Sequence, residues 1–163
     1  MSQAPNIFDP GPWERDLGSA RGSRLAARAG AAELGMALYE LDAGAQAAPY
    51  HVHHANEELL VVLAGEVEVR SPDGVRTLAA GDLLAFPAGP DGAHRVRNAG
   101  GDRARYLMVS TMRFPEVCEQ LDTGTVLAMK GPADGWAFAA DGAGDYMELT
   151  RQALESERQA ESG

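Results

Sequence analysis

Between residues 32 and 129 the chain is written in short apolar or alternating runs separated by turns rich in Gly and Pro, with no helical period among them. The runs recur every 8 to 14 residues. From Ala32 to Leu41, Leu34, Met36 and Leu38 repeat at period two, as a strand with one buried face requires. HVHH, EELLVVLAGEVEVR and VRTLAAGDLLAFPAG continue the rhythm, the last two joined by SPDG, whose Pro in second place and Gly in fourth suit a type I turn. HRVRN, RARYLMVSTM and GTVLAM supply further strands, the first two across the turn NAGGD. Many short strands without intervening helices predict a sandwich or closed barrel rather than an α/β fold.

A length of 163 residues without internal repeats fits one compact domain with a core of its own. The expected division is an N-terminal arm over residues 1–12, anchored by Trp13, a β-barrel domain over 13–130, and a Gly/Ala-rich link and tail over 131–163. Residues 131–145, GPADGWAFAADGAGD, read as a flexible link. From about Asp145, Tyr146, Met147, Leu149 and Leu154 sit in a charged, glycine-free tail that predicts a short terminal helix.

The chain carries 14 basic and 24 acidic side chains, a formal charge of −10, which repels phosphate backbones and anionic lipid surfaces. Neither nucleic acid nor membrane is an expected partner. A single cysteine, Cys118, excludes an intramolecular disulfide, and the first ten residues hold neither a basic segment nor an apolar run. No run approaches the roughly 20 apolar residues that cross a bilayer. The expected compartment is the cytoplasm. Cys118 itself reads as a buried, inert thiol.

Chemistry concentrates in the histidines. His51 and His53 are one residue apart, so an extended strand points both imidazoles to the same face. Glu58 heads a run in which Glu58, Leu60 and Val62 share one face and Glu57, Leu59 and Val61 the other, so either glutamate could turn inward. A carboxylate on an apolar inner face costs several kcal/mol unless a cation or good hydrogen bonds compensate it. A metal ion beside the histidines would do so, and His94, beyond a Pro/Gly loop, can bring a third imidazole across the barrel.

These residues resemble the cupin family. Its first motif, G, five residues, HxH, three or four, E, six, G, is matched by Gly44, His51, His53, Glu58 and Gly65, with six residues rather than five after Gly44. The second, G, five, PxG, two, H, three, N, is matched by Gly81, Pro87, Gly89, His94 and Asn98, with four residues between Gly89 and His94, so that the insertion PDGA lengthens that turn. Fifteen residues separate Gly65 from Gly81, a short spacing typical of small microbial cupins, and the resemblance covers roughly residues 30 to 112.

The resemblance implies an all-β fold, a single antiparallel jelly-roll barrel (a double-stranded β-helix), commonly a homodimer. It also implies one divalent ion held by His51, His53, Glu58 and His94, with Glu58 rather than Glu57 as the carboxylate ligand. Imidazole and carboxylate donors admit Fe, Mn, Ni or Zn. Four protein ligands leave two positions open on a six-coordinate ion, whereas tetrahedral zinc would be saturated. The implied function is a metal-dependent enzyme acting on a small oxygenated molecule, of isomerase, decarboxylase, lyase or dioxygenase type. The alternative is a non-catalytic small-molecule-binding module with a structural or ligand-capturing ion. Tyr50, Tyr106 and Glu57 are the candidate catalytic groups, Tyr50 being the preferred pocket residue because it adjoins His51. Tyr39, Phe86 and Met108 serve as cavity or core. Arg95 and Arg97 alternate with His94 and should pair on the outer face, with Arg103 and Arg105 beside them.

Overall fold

The structure is a computed structural model that describes residues 4–161. Strands follow in the order β1 (Arg15–Asp16), β2 (Ala20–Arg24), β3 (Leu34–Leu41), β4 (His51–His53), β5 (Glu58–Ala64), β6 (Glu66–Ser71), β7 (Gly74–Ala79), β8 (Leu83–Phe86), β9 (Arg95–Arg97), β10 (Ala104–Thr111), β11 (Glu116–Gln120), β12 (Thr125–Gly131) and β13 (Asp134–Ala139). A one-turn helix α1 (Leu25–Arg28) lies between β2 and β3, and α2 (Tyr146–Glu161) follows β13.

All strand pairs are antiparallel. A six-stranded sheet runs β1-β2-β3-β10-β5-β8, a four-stranded one β13-β12-β11-β4, and a three-stranded one β7-β6-β9. An isolated bridge between His51 and His94 joins β4 to the residue just before β9, so the two smaller sheets continue one another. The result is an open jelly roll in which the joined sheets face the six-stranded one.

The interior is built from the inward face of each layer. Leu41, Leu60, Val62, Phe86 and Tyr106 of the large sheet pack with Val67, Val69 and Val96 of the small one. Each such aliphatic side chain contributes about 1.5–3 kcal/mol when fully removed from water. The large sheet is covered on its other face as well. Leu38 and Leu107 there meet Leu25 of α1, with Ile7 and Trp13 packed against them. Double burial explains why ELLVVLA is continuously apolar instead of alternating. The expectation of a single buried face for β3 is corrected by the same fact: Leu38 and Leu41 are fully buried on opposite faces, and Leu34 at the strand start is exposed.

Described residues of the N-terminal arm lie over this sheet, with Arg28 Nη1 donating to the Pro10 carbonyl at 2.6 Å. Residues 1–3 of the arm and 162–163 of the tail lie outside the described residues. The expected link over 131–145 contains a strand instead. β13 pairs with β12, placing Trp136 opposite Ala128, because β12 offers an edge and Trp136 and Phe138 favour the extended state. α2 forms where the helical tail was expected, and Asp145 Oδ1 caps it by accepting the Glu148 N–H at 3.0 Å.

Candidate metal centre

β4, β5 and the turn before β9 each deliver part of one cluster. The His51 N–H donates to the His94 carbonyl at 3.0 Å and the His94 N–H to the His51 carbonyl at 2.8 Å, which sets the two rings side by side with centroids 4.5 Å apart. His53 follows on the same face of β4, its ring 5.1 Å from that of His51. Glu58 starts β5 with its side chain turned inward beside Leu60 and Val62. Ligand atoms of His51, His53 and Glu58 lie within 4.8 Å of one another. His94 Nε2 lies 3.2 Å from Glu58 Oε2, and His53 Nε2 lies 3.6 Å from the same oxygen.

Backbone carbonyls orient two of the rings. His51 Nδ1 meets the Pro49 carbonyl at 2.8 Å and His94 Nδ1 the Gly92 carbonyl at 2.9 Å, contacts that place the proton on Nδ1 and leave the Nε2 lone pair facing the cluster. Phe86 stacks on the His94 ring at 3.8 Å and 10°. The PDGA insertion forms the turn that leads into His94. Residues Pro90–Gly92 form one 3-10 turn, Gly89 at φ +92° donates its N–H to the His53 carbonyl at 2.7 Å, and a Cβ on Gly92 would collide with the Pro87 backbone.

Electrostatics suits a cation. Burial, followed by His94, pushes His51 down to about 4 against the pull of the Pro49 carbonyl and Glu58, so its imidazole is neutral at pH 7. Burial works to raise the Glu58 carboxyl, but His94, followed by His53 and His51, outweighs it when those rings take up a proton, and the group is then held below the ordinary carboxylate range. Glu58 Oε2 and His94 Nε2 are both buried and, despite their 3.2 Å separation, not aligned as a hydrogen bond. Two orphaned polar atoms at one point, with two further imidazoles, match the donor set of a divalent transition metal. The residues present therefore fit such an ion.

A cavity of about 230 Å³ opens on the cluster and is lined by His51, His53, Glu58 and His94 together with Tyr39, Val96, Tyr106 and Met108. Tyr106, one of the candidate catalytic groups, is among these lining residues. Burial, then Tyr39 and Glu58, drive its hydroxyl well above the usual tyrosine value, and burial raises Tyr39 too, so both are proton donors at neutral pH. Their rings stack at 5.1 Å.

The other two candidate catalytic groups lie elsewhere. Tyr50 is buried with Val52 and Ala93, with the Arg70 guanidinium 3.9 Å from its ring centroid, outside the cavity lining. Adjacent strand residues point to opposite faces, so proximity to His51 in sequence puts Tyr50 behind it. Glu57 is exposed for the same reason, its backbone N–H donating to Thr111 Oγ1 at 3.2 Å. His54 is exposed beside Glu119. The arginines pair outward as expected, Arg95 with Glu68, Arg103 with Asp42 and Glu40, and Arg105 with Glu40, while Arg97 Nε donates to the Gly44 carbonyl. Cys118 is buried, and burial, followed by Glu116, pushes its thiol up to about 12, which leaves it neutral.

One residue escaped the sequence reading. Glu116 of β11 is fully buried, and its Oε1 lies 3.6 Å from His53 Nδ1. Its carboxylate accepts the His54 N–H at 2.9 Å and also meets the Ala55 N–H and the Asn56 side-chain amide. The signal for it was present: Glu116 shares a strand face with Cys118, and a glutamate on a cysteine-bearing inner face is a buried carboxylate.

Residues 37–110 match the family described as a cupin domain. The chain superimposes on the crystal structure of a sugar phosphate isomerase from a cupin superfamily of Silicibacter pomeroyi with a TM-score of 0.70 and 26% identity, covering 77% of this chain and 79% of that one. A putative sugar phosphate isomerase from Acidithiobacillus ferrooxidans gives a TM-score of 0.69 at 21% identity over 77% of this chain and 79% of that chain. A polyketide cyclase from Streptomyces resistomycificus shares the fold at a TM-score of 0.58 and 20% identity, covering 71% of this chain and 84% of that chain. No curated protein matches the chain. Residues 37–110 thus match a cupin domain, and the fold around them is shared with a cupin-superfamily structure.

Proposed function

We propose that the chain is a metal-dependent enzyme acting on a small oxygenated molecule, of isomerase, decarboxylase, lyase or dioxygenase type, with one divalent ion (Fe, Mn, Ni or Zn) held by His51, His53, Glu58 and His94. The carrying observation is the pair of buried, unpartnered atoms Glu58 Oε2 and His94 Nε2, 3.2 Å apart and flanked by two further histidines. An ion bound there supplies Lewis-acid polarisation of a ligand oxygen. Tyr39 and Tyr106, protonated at neutral pH, donate hydrogen bonds to oxygens of the bound molecule, and Met108 and Val96 exclude water from its other side.

A second reading, non-catalytic capture of a small ligand, is favoured by one feature. The titratable groups among the described residues lining this cavity are the four candidate ligands and two tyrosines held protonated by burial, none of them a free general base. Function in the cytoplasm and assembly as a homodimer belong to the same proposal. Calorimetric titration of chelator-stripped protein with Ni²⁺ or Zn²⁺ tests the site: one ion per chain, lost in His51→Ala, supports it, and absence of saturable binding removes it. Turnover with small hydroxy- and oxo-acids or ketoses separates enzyme from binder.

A further inference from the structure

Beside the histidine cavity lies a larger one of about 600 Å³, and the two share Tyr39, Glu58 and Met108. Met36, Met108 and Met112 make its walls with Ala26, Ala27 and Ala37. Thioether side chains are polarisable and adapt to irregular apolar shapes. Gly35 of β3 shapes one wall: a Cβ there would come within 2.8 Å of Met112 Sδ and closer still to Ser110 Oγ, so glycine lets both side chains close over the strand.

The arginines at this cavity are already engaged. Arg24 Nε donates to Glu14 Oε2 at 3.0 Å, and Arg28 Nη1 donates to the Pro10 carbonyl at 2.6 Å and to Ser23 Oγ at 3.1 Å. Arg15 lines a separate cavity of about 300 Å³ that meets the apolar one at Glu14, Arg24, Ala37 and Tyr39. The space continuous with Glu58 is therefore mostly thioether and alanine, and each of its two arginines, Arg24 and Arg28, already holds an acceptor.

We infer that the molecule taken by this site has an oxygenated head group at the histidine cluster and an apolar body, of the size of a medium-length alkyl chain or a ring, in the Met36/Met108/Met112 cavity. The inference rests on the metal reading above, since the ion fixes the head. A polar, fully hydroxylated sugar phosphate would leave these methionines in contact with hydroxyls.

Two probes with the same chelating head and different bodies, acetohydroxamate and octanohydroxamate, separate the claims when titrated calorimetrically into protein loaded with Ni²⁺. The expected result is metal-dependent binding of both, with the octanoyl compound tighter by about 30-fold, the scale of a few methylenes leaving water. Met112→Glu, at the cavity wall and in no core cluster, should cut that preference to about 3-fold by placing a charge beside the chain. Equal affinity for the two hydroxamates in the unaltered protein overturns the apolar-body inference and leaves the metal site standing. Chain-length preference that persists after the metal is stripped keeps the apolar cavity and removes the metal reading. Failure of both probes to bind overturns both claims. Displacement of octanohydroxamate by ribose 5-phosphate at lower concentration than by any apolar competitor overturns the inference in favour of a phosphate at Arg15 and Arg24.

Discussion

His51 and His94 hydrogen-bond to each other through both backbone N–H groups, at 3.0 and 2.8 Å, and this one bridge joins the four-stranded and three-stranded sheets. The candidate ligands are thus part of the framework. Their rings are held by the same contact that continues the sheet, so little side-chain freedom remains to be lost when an ion is bound.

Removal of one ring should be far more costly to metal binding than to folding. His94→Ala keeps the backbone bridge but deletes an Nε2 that faces Glu58, together with the stack on Phe86. Metal affinity measured by calorimetric titration should fall at least about 100-fold, beyond the range for outer partners, while circular dichroism retains the β spectrum. Undiminished affinity would remove His94 from the site.

Glu116 lies behind His53, its Oε1 3.6 Å from a buried His53 Nδ1 that has no hydrogen-bond partner. Glu116→Gln keeps the shape but replaces one acceptor oxygen by a donor against the His54 and Ala55 N–H groups. Metal affinity should drop about 10- to 100-fold, and stability by about 1–3 kcal/mol in urea denaturation. Loss of stability with metal affinity unchanged would make Glu116 a fold residue alone.

The metal-free protein should weaken in mild acid. A histidine in an unfolded chain titrates near about 6.5, whereas burial, with His94 beside it, pushes His51 down to about 4. Between those values the unfolded state binds a proton that the folded state refuses, so stability is fully present above about pH 6.5 and is lost as pH falls toward 4. In the presence of chelator, urea denaturation at pH 7.5 and 4.5 should show a loss on the order of 2 kcal/mol that shrinks in His51→Gln. A pH-independent denaturation midpoint in this range would contradict the burial of that ring.

Gly65 should tolerate no side chain. It sits at φ +71° between β5 and β6, and a Cβ would come within 2.8 Å of the Arg103 carbonyl. Gly65→Ala is expected to cost about 1–3 kcal/mol, read as a lowered thermal midpoint. An unchanged midpoint would mean that the turn yields more easily than its geometry indicates.

Assembly can be checked separately. Trp136 and Phe138 of β13 are exposed at 61% and 48% on the edge strand of their sheet, surface that a second copy could cover. Light scattering at micromolar concentration should return the mass of two chains. The monomer mass refutes the dimer.

Much of this architecture was legible in residue order. HxH on a strand, the apolar run after Glu58 and the Gly/Pro turns each have a local physical meaning, so the strand rhythm could be read directly, while the inward face of β5 came only from the motif spacing of the resemblance. What depended on distant chain was not. The second covered face of β3 arises from α1, Ile7 and Trp13, and no periodicity within β3 announces it. β13 needs β12 beside it to become a strand, and alone its Gly- and Ala-rich sequence looks like a link. Tyr50 adjoins His51 in sequence, but strand alternation turns it to the opposite face, with Val52 and Ala93. Glu116 lies 58 residues beyond Glu58 and meets His53 only through β11–β4 pairing.

Elemental analysis by plasma mass spectrometry, on protein purified without a histidine tag or added metal, tests the central claim most directly. The account predicts close to one Fe, Mn, Ni or Zn per chain in the unaltered protein and little in a His51→Ala, His94→Ala double variant. A protein that purifies metal-free and takes up none on reconstitution would contradict it.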